Sequence, residues 1–274
     1  MVLKEKLKKK ELTIGSWLSF GYTPITEMMC RVGFEWLVID MEHTSISSQE
    51  ALQMMQIISA HNIIPLIRVG ENNELIIKKA MDSGAHGVVV PMINNKEEAE
   101  KAVNAVKYPP IGNRGVGLFR AQNYGISFDK YKKWLESNSI VIVQIEHIDG
   151  VKNIADIMNT EGVDAFIVGP YDLSASMGHP GDFDHPDVKK VLNSLVEFMN
   201  QSSKPGGFHV VHSNIQDLQN KIKEGYKFLA YGDDMVFISE KFSKEIYNSQ
   251  YIDIDPDYKE NRPKNNDWNY RFLI

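Results

Sequence analysis

Residues 36–44 read Trp36-Leu37-Val38-Ile39-Asp40-Met41-Glu42-His43-Thr44. The first four are apolar without alternation, as in a strand covered on both faces of a parallel sheet. Polar and charged residues follow at once, so the chain leaves this strand, Trp36–Met41, at an end able to carry chemistry. Seven other short runs rich in Val, Ile and Phe repeat the pattern. They are Thr13–Leu18, Ile64–Val69, Gly87–Pro91, Ile140–Ile145, Ala165–Gly169, Gly207–Val211 and Phe228–Tyr231. Helical patterns separate them: Ser48–His61 after a capping Ser47, Asn73–Ser83 stopped by Gly84, and Lys96–Val106. Gly150–Asn159, Pro186–Ser202, and Ile215–Glu224 stopped by Gly225 follow.

Eight strands alternating with helices in a chain of 274 residues predict an α/β protein, a single-domain (β/α)8 TIM barrel. The competing architecture is an open doubly wound sheet. That fold usually carries a glycine-rich phosphate turn after its first strand, and Leu18-Ser19-Phe20-Gly21-Tyr22 is not one. The barrel is assigned to residues 1–250. Residues 251–274 form a polar tail with Pro256 and Pro263 that ends in Trp268, Tyr270, Phe272, Leu273 and Ile274. A disordered end is the plain expectation for such a tail, whereas its terminal aromatics suggest docking on a neighbouring subunit.

Hydrophobic residues make up 43% of the chain and charged residues 24%, enough to build a full core. The formal net charge of -6 argues against nucleic acid or an anionic membrane as partner. The basic stretch Lys4–Lys10 reads as the solvated face of a first helix. Cys30 is the single cysteine, so no disulfide forms within the chain and a reducing compartment fits. Cys30 lies in a helical pattern and reads as a buried inert thiol. The N-terminus has no apolar signal region and no run reaches membrane-span length. These features together give an expected cytoplasmic location.

In a barrel the reacting groups stand at the C-terminal ends of the strands. There the sequence places Asp40 and His43 after the second strand, Arg68 on the third, Gln144 and Glu146 on the fifth, and Asp172 after the sixth. Glu146 and Asp172, delivered by adjacent strands, would repel each other unless a proton or cation is shared. A divalent ion with oxygen ligands answers that need, although surface or capping roles would also suit each carboxylate alone. His43 has the reference pKa of a general base, with Asp40 placed to orient it. A loop-fixing histidine is the competing assignment. A buried Arg68 needs an anion, from protein or substrate. Strand alternation turns Gln144 to the same side as Glu146. No lysine falls at a strand end, which argues against imine chemistry. His147, His209 and His212 are weaker candidates. The long stretch Lys107–Gly125 reads as a functional loop, in which Arg114 and Arg120 are expected either to act as lid or specificity residues for an anionic substrate tail or to be solvated.

Several motifs act jointly here: Asp40-Met41-Glu42-His43-Thr44, Leu66-Ile67-Arg68-Val69, Asp82-Ser83-Gly84-Ala85-His86-Gly87, Tyr108-Pro109-Pro110 with Arg114-Gly115, Gln144-Ile145-Glu146, and Gly169-Pro170-Tyr171-Asp172-Leu173-Ser174-Ala175-Ser176-Met177-Gly178. From about Ile14 to about Met235 the chain resembles the HpcH/HpaI aldolase family, the metal-dependent pyruvate aldolases. The resemblance implies an octahedral Mg2+, Mn2+ or Co2+ on Glu146 and Asp172, chelated by pyruvate. It implies that Arg68 stabilises the enolate oxygen and that His43, held by Asp40, handles protons. Gln144 would serve the metal or substrate environment, and amides near Ser174 and Ala175 would take the carboxylate. It further implies a homo-oligomer, a hexamer or trimer of dimers, with Asp82 reaching a neighbour's His43. The expected reaction is aldol cleavage or condensation of a 2-keto-3-deoxy or 4-hydroxy-2-oxo acid. The alternatives are an acyl-CoA-using lyase or citrate-type synthase and, disfavoured by the complete residue set, a non-catalytic binding member. Tyr171 departs from the family pattern and bears on the aldehyde half of the pocket, as does the long tail.

Overall fold

A computed structural model of the chain describes residues 3–248. Eight parallel strands close into a barrel in sequence order: β1 Thr13–Leu18, β2 Trp36–Asp40, β3 Ile64–Arg68, β4 Gly87–Val90, β5 Ile140–Ile145, β6 Ala165–Val168, β7 Gly206–Val210 and β8 Phe228–Asp233. β8 returns to pair with β1, so no strand edge is left open. The expected (β/α)8 barrel is therefore the fold. Twelve helices accompany the strands among the described residues: α1 Leu3–Lys8, α2 Thr23–Cys30, α3 Ser48–Ala60, α4 Glu74–Asp82, α5 Lys96–Val106, α6 Phe128–Asn138, α7 Ile148–Lys152, α8 Ile154–Asn159, α9 Pro170–Ser176, α10 Pro186–Gln201, α11 Ile215–Glu224 and α12 Asp234–Asn248.

Local chemistry sets the helix starts. Ser47 and Glu50 form a reciprocal capping box on α3, and the Asn73 carboxamide accepts from the first amides of α4. Two expectations change in detail. The helix expected over Gly150–Asn159 is two short helices broken at Asn153, whose side chain donates to the Asn94 carbonyl at 2.7 Å. The segment after Gly125 contains an unforeseen helix, α6. Its apolar residues Tyr131 and Leu135 are buried, but too few to stand out in a polar run.

The strands' inward residues and α1 share one core: Leu3, Leu7, Trp17, Trp36, Leu66, Ile142, Ile167 and Phe228 belong to it. Trp36 stacks on Phe228 with centroids 4.1 Å apart. The basic N-terminal stretch is not simply a solvated face. Lys4 is buried, and its ammonium lies 2.8 Å from Asp164 and donates to the Ser139 carbonyl at 2.7 Å. Lys10 donates to the carbonyls of Met199 and Ser202. These amines satisfy carbonyls at the C-terminal ends of α6 and α10 that water would otherwise have to reach.

The chain divides into two compact units, Met1–Val236, which holds the barrel, and Phe237–Ile274. The described part of the second unit is the body of α12. The tail assigned to 251–274 lies outside the described residues. Among the described residues no helix is long and apolar enough to cross a membrane. Cys30 is buried and unpaired, and burial pushes its thiol up to about 11, the expected inert state.

Candidate active site

Register places the first pair of functional residues. Asp40, the last residue of β2, sits opposite Arg68, the last residue of β3. The Asp40 carboxylate accepts from Arg68 Nε at 2.9 Å and Nη2 at 2.5 Å, a two-pronged ion pair. It also accepts the backbone N–H groups of Glu42 and His43 at 3.0 and 3.3 Å. Burial alone would raise this carboxyl, but Arg68 and the two amides outweigh it and hold it below the usual range. Asp40 thus fixes the backbone at His43, while its side-chain partner is Arg68 rather than the imidazole.

Glu42 and His43 then project from the β2 end. Burial pushes Glu42 up to about 7, against Arg68 and with the charges of Asp40 and Asp172 adding to the effect. Its Oε2 lies 3.4 Å from Arg68 Nε and 3.8 Å from His43 Nε2, yet accepts no hydrogen bond. His43 is exposed and lines the cavity.

β5 supplies the next pair. Gln144 is buried and donates its amide to Glu146, whose other oxygen accepts the Met92 N–H at 2.7 Å. Burial pushes Glu146 up to about 7, opposed by those two hydrogen bonds and reinforced by Glu42 and Asp172. Gly169 is required here for space, because a Cβ would stand 2.8 Å from Glu146 Oε2. Asp172, in the first turn of α9, faces the same cavity from an exposed position.

Asp40, His43, Arg68, Gln144 and Asp172 line a cavity of about 560 Å³ at the C-terminal rim, with Trp17 and Asp233 also in its wall, whereas Glu42 and Glu146 are outside that wall. The rim is electrostatically unbalanced. Asp40, Glu42, Glu146 and Asp172 face a single Arg68. Two raised carboxyls, one with an oxygen lacking any donor, fit a binding place for a cation. Glu146 and Asp172, with oxygen donors only, suit a hard divalent ion. A separate group, His179, His185 and Asp187, brings three ligand atoms within 4.8 Å. There His185 Nδ1 already accepts the Asp187 N–H and its ring stacks on His179, an arrangement that caps α10.

Other expected residues are placed elsewhere. The Ser174 hydroxyl is buried, donates to the Tyr171 carbonyl and accepts the Gly181 N–H. The cavity wall on α9 is made by Pro170, Tyr171 and Asp172 rather than Ser174 and Ala175, because the helix turns away after its first turn. Arg114 and Arg120 are absent from this wall. Arg114 is fully buried, 4.3 Å from the Tyr108 ring centroid, and donates to Tyr131 Oη at 2.9 Å. Arg120 donates to the Ser83 carbonyl at the end of α4 and lines a different cavity beside His86 and Trp134. Neither guanidinium reaches this chain's own cavity: Arg114 lies against Tyr108 and donates from Nη2 to Tyr131, its Nε and Nη1 lacking a hydrogen-bond partner, and Arg120 donates to the Ser83 carbonyl. Asp82, at the end of α4, also lies outside the cavity, and burial raises its carboxyl against Arg114, Gln122 and Lys78. His209 stacks on Trp17 with centroids 4.7 Å apart, and burial pushes it down to about 4, so it is a neutral wall.

Sequence reading gave Glu42 no role, although it lies inside the quoted motif. It also missed Ser19 and Asp233, whose hydroxyl and carboxylate meet at 2.5 Å at the rim. Asp233 was findable, since Gly232-Asp233-Asp234 is another polar strand end. The expected β8 stopped two residues short of it.

A closed parallel barrel with two raised carboxyls beside one clamped arginine at its C-terminal rim has the layout of an α/β-barrel enzyme. A family model for HpcH/HpaI aldolase/citrate lyase matches residues 14–240. The chain belongs to that family, and it is a carbon–carbon lyase. It is 32% identical over 245 residues to the 2-keto-3-deoxy-L-rhamnonate aldolase of Escherichia coli (strain K12), covering 89% of this chain and 91% of that one. Among solved structures, an HpcH/HpaI aldolase/citrate lyase family protein from Burkholderia cenocepacia J2315 superposes with a TM-score of 0.85 at 30% identity, covering 90% and 98%. The citrate synthase SbnG superposes at 0.81 with 26% identity, covering 93% and 99%.

Proposed function

We propose that this chain catalyses divalent-metal-dependent aldol cleavage and condensation of a 2-keto-3-deoxy or 4-hydroxy-2-oxo acid, yielding pyruvate or a close 2-oxo acid and an aldehyde. The observation that carries this is the excess of buried carboxylate, Glu146 with Glu42 beside Asp172, around one clamped Arg68. Glu146 and Asp172 would hold the ion, of the Mg2+, Mn2+ or Co2+ kind. When bound, it would supply Lewis acidity that eases negative charge on the 2-oxo acid. Arg68, locked on Asp40, presents a fixed positive group to the developing enolate oxygen with little reorganisation. His43 would accept the proton of the hydroxyl on the carbon that becomes the aldehyde. The adjacent C–C bond then breaks, its electron pair forms the enolate, and a proton returned to the methylene carbon completes pyruvate. Gln144 orients Glu146 through its amide.

The name of the Escherichia coli relative supports a sugar-acid substrate. Likeness to a citrate synthase supports a second reading, a citrate-type condensation. Among the described residues lining the cavity Arg68 is the single lysine or arginine, which offers little to a CoA phosphate tail. A homo-oligomer, hexamer or trimer of dimers, in which Asp82 serves a neighbour's site, and a cytoplasmic location complete the proposal. The test is chelation: EDTA should abolish pyruvate release from a 4-hydroxy-2-oxo acid, and added Mg2+, Mn2+ or Co2+ should restore it. Cleavage that survives full chelation refutes the metal role.

A further inference from the structure

The acceptor side of the cavity carries a carboxylate that the proposed chemistry does not use. Asp233 closes β8, directly after Gly232 at φ +66, a left-handed turn that glycine takes without strain. The residue is buried at 6% exposure and still forms part of the cavity wall. Its Oδ2 accepts the Ser19 hydroxyl at 2.5 Å, and its Oδ1 accepts the Met235 N–H at 2.8 Å. Ser19 is held in turn, because its own N–H donates to Asp234 at 2.8 Å. The Asp234 carboxyl, pushed up to about 7 chiefly by burial, also hydrogen-bonds the Asp233 side chain, so part of the roughly four acceptor sites of the carboxylate serves the protein. The Ser19 oxygen keeps its lone pairs as well. The pair is therefore a rigid surface that accepts hydrogen bonds, carries negative charge and donates none.

Nothing nearby offsets that charge for an anionic ligand. Among the described residues lining the cavity, Arg68 is the single lysine or arginine, and Asp40 already grips it. His209, across from Asp233, is neutral. Ser45 and Tyr171 add hydroxyls to the wall, while Thr44 commits its own to the Asp40 carbonyl and the Ile46 N–H. A ligand tail with hydroxyl groups finds partners on this side, whereas a tail with a carboxylate meets a like charge in a half-desolvated place, and repulsion of that kind is how sites reject a competitor.

Resting on the aldolase reading, we propose that Asp233, braced by Ser19, determines the acceptor: it admits uncharged hydroxylated aldehydes and rejects carboxylate-bearing ones. The experiment compares kcat/KM for pyruvate condensation with glycolaldehyde and with succinic semialdehyde, Mn2+ present, in the wild type, Asp233→Asn and Ser19→Ala. Asparagine keeps an oxygen for the Met235 N–H, removes the charge, and reverses the Ser19 contact, its NH2 donating to the hydroxyl oxygen. Ser19→Ala leaves that cap untouched and removes the brace. The wild type should prefer glycolaldehyde, and Asp233→Asn should shrink the preference by roughly 10–100-fold, with Ser19→Ala shrinking it less. A merely structural loss would lower both aldehydes together and leave the ratio unmoved, which overturns the proposal. A wild type that prefers succinic semialdehyde overturns it too, and points to a cation brought by a second copy of the chain. Exchange of pyruvate methyl protons with solvent reads the enolate half alone. If the wild type lacks that exchange, the aldolase reading falls and this proposal with it; exchange with the wrong acceptor order overturns this proposal only.

Discussion

The two ends of the barrel are built from the same eight strands and are opposites in electrostatic terms. At the N-terminal end α1 adds Leu3 and Leu7 to a core that includes Trp36 and Phe228, and the buried ammonium of Lys4 is matched by Asp164 and a carbonyl. At the C-terminal rim four carboxylates surround one arginine, Glu42 and Glu146 are pushed up to about 7, and an oxygen of Glu42 has no donor. The Lys4 charge is matched at one end, although Asp82 Oδ1 and Arg114 Nε and Nη1 lack hydrogen-bond partners on that side, whereas at the rim the surplus is of one sign. A one-sign surplus of this kind persists in a fold where something outside the chain offsets it, so the rim is the working end.

That contrast can be broken at either end. The largest effect should come from the rim. His43→Ala should lower turnover by roughly 10²–10⁴-fold, the usual worth of a general base, while divalent-ion affinity measured by calorimetry barely changes. Loss of the ion instead would make His43 part of the metal site.

The next effect belongs to the opposite end. Leu7 is 1% exposed in α1, so Leu7→Ala should cost about 2–5 kcal/mol in urea unfolding. Turnover per folded molecule should stay at the wild-type value. A rate that falls along with stability would show that the two ends are not independent.

The smallest effect sharpens the idea of frustration. The folded-state pKa of Glu42 is raised to about 7, chiefly by burial. The folded chain therefore holds a proton that the unfolded chain releases nearer its ordinary value. Stability from this group is present at low pH and is lost as pH rises through about 7. In metal-free protein the melting temperature should fall between about pH 5 and 8, and Glu42→Gln should reduce that fall, by about 1–2 kcal/mol at the alkaline end after discounting for partial solvent access. A variant with the same pH slope as the wild type would remove Glu42 from the frustrated set.

Much of this molecule is local, and local information is legible in one dimension. The apolar runs around Ile39, Ile142 and Ile167 have the pattern of strands covered on both sides, so barrel and rim followed from periodicity and from the polar residues placed just past each run. That rule puts Asp40, Arg68, Gln144, Glu146 and Asp172 at or just past strand ends, where the structure also has them. Tertiary structure decided what depends on partners far apart in the chain. Lys4 looked solvated until α1 brought it to Asp164. Arg114 looked like a loop cation until Tyr108 and Tyr131 enclosed it. Asp233 gained its meaning from Ser19, 214 residues earlier, because β8 closes the barrel on β1. A sequence states which groups are charged. Whether a charge is paired, buried or left over is set by distances and desolvation, which exist only once the chain has closed on itself.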